Sequence, residues 1–211
     1  MANDALMRLP EQIDYYIRHR LPKMDGWCPP DKAASIAVDI LNKRPKVCVE
    51  IGVFAGRSML AAALALKENN WGIVYGIDPW TPDASSEGFA EGDANREWWG
   101  KLDHSPIMQQ CLDYIAVLHV EEYVRLIRKT NREALDEIRE AAPVDWLHID
   151  GNHASELAKF DVEHYVPLVQ PGGTIWFDDV DWGTTAAAQA LMDEYATLEV
   201  YVGNCAKYRR K

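Results

Sequence analysis

The stretch Val47–Ser58, VCVEIGVFAGRS, joins an apolar run that ends in Glu50 to a glycine turn (52–56) and to the start of a helical run. In α/β proteins, a strand that passes through a glycine turn into a helix brings the backbone close to a nucleotide-like ligand. Glycine is needed there because a Cβ would block the ligand or the turn dihedrals. The spacing is ExGxxxG and not the dinucleotide pattern GxGxxG, since Phe54 and Arg57 stand where glycines would be required. The stretch therefore predicts a ligand-binding turn after the first strand of an α/β fold.

Strand-like apolar runs alternate with helical patterns along the chain. Such alternation predicts a parallel sheet with right-handed crossovers. A length of 211 residues and a hydrophobic content of 48% suit one domain over 1–211, with an N-terminal helical segment at 1–44. The predicted strands are 47–51, 72–78, 124–127, 145–150, 174–178, 198–202 and 206–209, and the predicted helices are 32–43, 57–68, 131–141, 156–169 and 184–195.

A long segment, 79–120, interrupts this alternation between the second and third strands. It is rich in Gly, Ser and Asp at first and in Trp later. Segments of this length inside compact domains are often lids or binding loops, so we expect a lid-like insertion. The adjacent Trp98 and Trp99 would point in different directions on a helix. They fit either packing of the insertion onto the core or contact with a substrate.

Composition restricts the partners and the compartment. The net charge is −11 and the basic residues cluster only in the short tail 207–211, so nucleic acid is not the expected partner. The four cysteines, at 28, 48, 111 and 205, form no CxxC pair, which indicates reduced thiols in a cytoplasm. The first ten residues lack the pattern of a signal peptide, and the longest apolar run, 59–66, is too short to cross a bilayer, so no membrane association is expected. The sequence leaves open whether the protein forms a homo-oligomer.

Acidic residues end three of the predicted strands. Ligands bind beyond the carboxyl ends of the strands in an open parallel sheet, so these acids are expected at one edge. Asp78 ends the second strand, where an acid can bind both hydroxyls of a ribose. The alternative for Asp78 alone is a turn-forming or capping aspartate before Pro79.

The acids that end the fourth and fifth strands are Asp150, Asp178 and Asp179. Carboxylates gathered at one edge repel each other unless a cation compensates, and carboxylate oxygens suit Mg²⁺, Mn²⁺ or Ca²⁺. Successive strand residues point to opposite faces, so Asp178 and Asp179 can share an ion only if the backbone turns there. The alternative is one ligand plus one aspartate that caps the following helix.

Two histidines flank Asp150 in the motif HIDGNH, residues 148–153. His153 follows a Gly-Asn turn and leaves the sheet edge on the side of the acids, where an imidazole can take a proton from a hydroxyl group. The alternative for His153 is a metal-ligating or helix-capping role. His148 lies inside the strand, and we expect a structural role for it.

Four segments together resemble a known family: VEIGVFAGRS at 49–58, YGIDPW at 75–80, WW at 98–99, and HIDGNHASELAKFDVEHYVPLVQPGGTIWFDDV at 148–180. They are similar to metal-dependent class I S-adenosylmethionine (SAM) methyltransferases, a family that includes macrolide-sugar O-methyltransferases and cephalosporin-hydroxylase-like proteins. The resemblance covers residues 27–195.

The resemblance implies a Rossmann-like fold with helices on both faces of a seven-stranded, mostly parallel sheet of order 3-2-1-4-5-7-6, in which strand 7 is antiparallel. It implies Mg²⁺ or Mn²⁺ on the three acids of the fourth and fifth strands, and His153 as the catalytic base beside Asp150. It also implies SAM on the glycine turn, with its ribose on Asp78. The implied cofactor-binding residues are Glu50, Gly52, Gly56, Ser58, Asp78 and Thr130, and the implied metal ligands are Asp150, Asp178 and Asp179.

These observations predict a metal-dependent O-methyltransferase that acts on a hydroxyl of a small molecule, such as a sugar or a polyketide. One alternative is an NAD-dependent oxidoreductase or epimerase. The glycine spacing and the lack of a Tyr-x-x-x-Lys pair argue against it. The other alternative is a non-catalytic protein that binds SAM or a metal ion.

Overall fold

Seven strands form a single sheet in the computed structural model, which describes residues 9–211. The strands are β1 Val47–Ile51, β2 Ile73–Ile77, β3 Val124–Ile127, β4 Val144–Ile149, β5 Val169–Phe177, β6 Ala196–Val202 and β7 Cys205–Arg210. Their order is β3-β2-β1-β4-β5-β7-β6, and β7 runs antiparallel to both β5 and β6. The predicted fold class, strand order and antiparallel strand are therefore confirmed.

Two layers of helices cover the sheet, because the residues of each central strand point alternately to its two faces. Along β1, Cys48 packs with α1, α2, α3 and α6, whereas Val49 and Ile51 pack with α7, α8 and α9. The helices are α1 Glu11–Tyr15, α2 Pro30–Lys43, α3 Arg57–Asn69, α4 Pro82–Ser86, α5 Ala94–Lys101, α6 His104–Leu118, α7 Asn131–Ala141, α8 Ser155–Tyr165 and α9 Ala186–Tyr195.

The segment 79–120 is less irregular than its sequence suggests. Its second half forms α6, which buries Ile107, Cys111 and Ile115 against the core and restores the alternation of strand and helix. These three residues are four apart and therefore share one face of a helix. Only the part before α6, which carries the short helices α4 and α5, departs from the regular pattern.

The N-terminal segment is helical where the structure describes it, and the part of the predicted segment at 1–8 lies outside the described residues. A π-helical turn, Tyr16–Arg20, continues α1. The helix α2 begins at Pro30, two residues before the predicted start, so Lys32 falls in its first turn. Within residues 9–211, no helix combines the length and the apolar character that a membrane crossing requires.

The register of the central strands brings the predicted site residues together. Ile51 is level with Ile77 on one side and with Ile149 on the other, and Ile149 is level with Phe177. The residues that follow these strand ends therefore lie at one edge of the sheet. Inside the sheet, Glu50 is the direct neighbour of His148.

Candidate functional site

The glycine turn follows β1 directly. Gly52 has a φ of +84°, and a Cβ at this position would overlap the backbone carbonyl of Asp150. Gly56 has a φ of +90°, and its Cβ would lie 3.0 Å from the Sγ atom of Cys111. Both positions favour glycine because of their dihedrals and their close neighbours. Gly52 allows the ends of β1 and β4 to meet, and Gly56 allows α6 to approach α3.

One cavity of about 520 Å³ extends from this turn to the carboxylates beyond β4 and β5. This volume lies in the range of small-molecule and cofactor sites. Most of the residues that the sequence assigned to the site line the cavity, whereas Glu50 and Gly56 do not. The assigned residues in its wall are Gly52, Ser58, Asp78, Thr130, Asp150, His153, Asp178 and Asp179.

Asp78 holds the glycine turn in place. Its Oδ2 atom accepts hydrogen bonds from the backbone N–H groups of Val53 (3.1 Å) and Phe54 (2.9 Å), and its Oδ1 atom accepts one from Trp80 (2.7 Å). Burial raises the pKa of this carboxyl group, and the three N–H donors oppose the rise. Asp78 thus combines the turn-forming role with a place in the cavity wall, where a ribose remains its predicted ligand.

Thr130 caps the helix α7 at the cavity wall. Its hydroxyl accepts a hydrogen bond from the backbone N–H of Glu133 (3.3 Å), and the Glu133 carboxylate accepts one from the backbone N–H of Thr130 (3.0 Å). This reciprocal pair is a capping box. Thr130 lines the cavity, and its predicted role in cofactor binding stays a prediction, since its hydroxyl is engaged in the cap.

Glu50 lies beneath the cavity and has an exposed fraction of 0%. Its Oε1 atom accepts a hydrogen bond from the Ser58 hydroxyl (2.8 Å), and its Oε2 atom lies 3.1 Å from Nδ1 of His148. Burial raises the pKa of Glu50 to about 8. The structure therefore places Glu50 in a buried polar pair and not in contact with the predicted cofactor space.

Replacing Glu50 by Gln should change how stability depends on pH. The Glu50 pKa is raised from 4.5 to about 8 by folding, so its stabilising contribution is complete below about pH 4.5 and is lost as the pH rises through about 8. We expect the free energy of unfolding of the wild type to fall, relative to that of Glu50→Gln, between those two values. Urea unfolding of both proteins across this range checks the prediction, and a constant difference would contradict it.

The three acids beyond β4 and β5 face different partners. The backbone turns after β5, where Asp179 has a φ of +51°. Asp179 Oδ2 lies 2.8 Å from Nε2 of His153, and its Oδ1 accepts a hydrogen bond from the Asn204 side chain. Asp150 Oδ1 lies 3.9 Å from the same His153 nitrogen. Asp150, His153 and Asp179 each contribute one potential metal-ligand atom, and these three atoms lie within 4.8 Å of one another.

Asp178 does not join that group, because it pairs with Lys32. The Lys32 ammonium donates to Asp178 Oδ2 and lies 3.3 Å from Asp150 Oδ2. Lys32 was not among the residues predicted from the sequence. Ile36 and Ile40, which are buried on α2, follow Lys32 at intervals of four residues and therefore share its face of the helix. A lysine on the apolar face of a predicted helix was the signal that could have indicated a buried ion pair.

His148 borders the same ion pair from inside the sheet. Its Nε2 atom lies 3.9 Å from Asp150 Oδ2 and 4.0 Å from Asp178 Oδ2, and it has no hydrogen-bond partner among residues 9–211. Burial lowers the pKa of His148 to about 3, and the Lys32 charge adds to this effect. The imidazole is therefore neutral at ordinary pH.

Four aromatic side chains border the mouth of the cavity and come from three parts of the chain. Trp27 precedes α2, Phe54 belongs to the glycine turn, and Trp98 and Trp99 lie on α5. Five of the six ring pairs, all except Phe54–Trp98, have centroids 4.7–5.9 Å apart. Trp27 is 67% exposed and Trp98 is 47% exposed. The structure therefore gives Trp98 and Trp99 both a packing role and a place in the cavity wall.

The insertion is also joined to the HIDGNH loop. The two N–H groups of the Asn152 amide are shared among three backbone carbonyls at the end of α4, those of Ala84 (3.1 Å), Ser85 (3.2 Å) and Glu87 (2.9 Å). On the other side of the insertion, the buried His104 stacks on Trp99 and lines the cavity. Burial lowers the pKa of His104, which favours its neutral form.

The fold is shared with several O-methyltransferases of known structure. An O-methyltransferase from Bacillus cereus in complex with SAH is 15% identical, with a TM-score of 0.64 over 99% of this chain and 94% of that one. The O-methyltransferase TomG from Streptomyces achromogenes, involved in tomaymycin synthesis and in complex with SAM, is 14% identical, with a TM-score of 0.62 over 98% and 93%. The O-methyltransferase NovP is 19% identical, with a TM-score of 0.65 over 87% and 81%.

Sequence comparison also relates the chain to a curated protein and to a family. The uncharacterized protein y4gI of Sinorhizobium fredii is 28% identical over 139 residues, which are 65% of this chain and 13% of that protein. The chain thus matches only a small part of this relative's length. The family model described as a methyltransferase domain matches residues 49–180, from β1 to just beyond β5. Since this match covers more than half of the chain, the protein belongs to the methyltransferase domain family.

Proposed function

We propose that the protein is a SAM-dependent O-methyltransferase that acts on a hydroxyl of a small molecule with the help of a divalent metal ion. The observation that supports it most is the continuity of the cavity, which joins the glycine turn to the carboxylates beyond β4 and β5. Methyl transfer needs donor and acceptor in line within one enclosed space. Family membership favours this reaction over the predicted alternative of NAD-dependent redox chemistry.

The cofactor half of the site would be the part around Gly52, Asp78 and Thr130. The close approach of the backbone at Gly52 leaves room that a side chain would fill. Asp78 Oδ2 already accepts two N–H groups, but Oδ1 accepts only one, so Oδ1 keeps a lone pair for a ribose hydroxyl. When bound, SAM supplies a methyl group that its sulfonium already activates.

The metal half would be the carboxylate group at the other end of the cavity. Mg²⁺ commonly binds to one or two protein carboxylates and completes its shell with water and substrate oxygens. Asp150 and Asp179, which both line the cavity, fit this description. A divalent ion held there would lower the pKa of the acceptor hydroxyl.

His153 is the group that we propose as the general base. Its Nε2 atom faces Asp150 and Asp179, so it points toward the place where the acceptor hydroxyl would bind. The ring packs edge-on against Trp182 with a centroid distance of 5.1 Å, which restrains its orientation. A positioned imidazole can take the hydroxyl proton as the methyl group is transferred.

The acceptor is proposed to be a small molecule with a ring. The O-methyltransferases that share the fold support a hydroxyl as the methylated group. The exposed faces of Trp27 and Trp98 offer stacking surfaces to a sugar or a polyketide at the mouth of the cavity. A net charge of −11 disfavours nucleic acid. The four buried free thiols suit a reducing compartment such as a cytoplasm.

Binding of S-adenosylhomocysteine tests the cofactor half directly. We expect isothermal titration calorimetry to show one site per chain, and we expect Asp78→Ala to weaken binding by at least about 10-fold because hydrogen bonds to the ribose and the turn are both lost. Asp83→Ala, which removes an exposed carboxylate on α4, is the matched control. If the wild type does not bind at millimolar ligand, the assignment of the cofactor is wrong.

A further inference from the structure

Lys32 occupies an unusual position for a lysine. It is 2% exposed and belongs to the first turn of α2. A buried ammonium group is costly without partners, and the positive end of a helix dipole adds to the cost. Such a residue remains charged only where nearby anions compensate.

Two carboxylates from adjacent strands supply that compensation. Asp178 follows β5 and is in direct contact with the ammonium, and Asp150 follows β4 with its Oδ2 atom 3.3 Å away. Lys32 therefore lies between the two carboxylates, and both can compensate the charge of its ammonium group.

His148 is the other nitrogen base beside this pair. Its Nε2 atom lies 3.9 Å from Asp150 Oδ2 and 4.0 Å from Asp178 Oδ2. The Lys32 ammonium lies closer to both carboxylates, because it contacts Asp178 directly and is 3.3 Å from Asp150 Oδ2. Lys32 is thus the partner of Asp178.

We propose that Lys32 is a positioning residue that neutralises Asp178 and one oxygen of Asp150, so that Asp178 is not a metal ligand and a single divalent ion is left to Asp150 and Asp179. The metal part of this inference rests on the proposed function, whereas the ion pair does not. By holding Asp150 through Oδ2, Lys32 leaves Oδ1 directed toward His153 and the cavity.

A thermal double-mutant cycle tests the ion pair. Lys32→Met keeps the length of the side chain and leaves a buried carboxylate unpaired, so we expect the melting temperature to fall by on the order of 10 °C. Adding Asp178→Asn should restore part of that loss, because the neutral amide no longer needs a cation. Lys101→Met, which removes an exposed lysine of α5 that pairs with Glu97, is the control. Additive effects of the two substitutions would overturn the pairing.

Metal binding provides a second test that does not require Lys32→Met to fold. Electron paramagnetic resonance counts free Mn²⁺ during titration of the wild type, Asp178→Asn and Asp179→Asn. We expect Asp179→Asn to weaken Mn²⁺ binding by at least about 10-fold and Asp178→Asn to change it by less. Equal losses would make Asp178 a ligand and overturn the proposal. A wild type that binds no Mn²⁺ would refute the metal in the proposed function, and the thermal cycle would then decide the role of Lys32.

Discussion

His153→Ala should lower the turnover number of methyl transfer by about 10²–10⁴-fold, which is the usual contribution of a positioned base. The imidazole faces Asp150 and Asp179 and is restrained by Trp182, so its loss removes the proton acceptor without opening the core. Single-turnover transfer from labelled SAM to a hydroxyl acceptor measures the effect. Affinities for S-adenosylhomocysteine and Mn²⁺ should stay within about 10-fold of the wild-type values.

His19→Ala is the matched control for this substitution, because His19 is exposed next to Tyr15 and does not line the cavity. Near-normal turnover of His153→Ala would show that proton removal does not depend on this side chain. A parallel loss of Mn²⁺ affinity would instead assign His153 to the metal, which is the alternative that its position three residues after Asp150 leaves open.

Asp150→Asn should abolish metal binding and reduce turnover by at least about 10²-fold, since the electrostatic help of a bound ion is worth several kcal/mol. EDTA should have the same effect on the wild type, and Mg²⁺ or Mn²⁺ should restore its activity. Asp178 keeps its contact with Lys32 in this variant, so we expect the protein to remain folded. Circular dichroism and turnover with and without EDTA check both parts.

Asp136→Asn provides the comparison, because this carboxylate is exposed on α7, where it pairs with Arg139. Methylation that resists EDTA would remove the metal from the mechanism. The carboxylates beyond β4 and β5 would then serve to orient His153 and to balance Lys32.

The fold could be predicted from the sequence because its signals are local. The apolar run 47–51, the glycines at 52 and 56 and the helix that follows are contiguous, and so are the strand and helix at 124–141. The helix α6 was missed even though Ile107, Cys111 and Ile115 have helical spacing, because the polar residues before them favoured one long insertion.

The site was less predictable because its chemistry depends on pairs that are distant in the chain. Asp178 and Asp179 are adjacent in sequence but have different partners. Asp178 contacts Lys32, which is 146 residues before it in the chain, and Asp179 contacts His153 and Asn204. The position of an acid at the end of a strand does not indicate whether its partner is a lysine, a histidine or a metal ion. Glu50 likewise has the position of a ligand contact in the motif, but the register of β1 and β4 directs it to His148.

The hydrogen bonds from the Asn152 amide to the end of α4 have a mechanical consequence. They attach the end of α4 to the residue immediately before His153. A displacement of the insertion large enough to admit an acceptor would strain or break these bonds and pull on the loop that carries the proposed base. Under the proposed function, these bonds would couple entry of the acceptor to the alignment of His153.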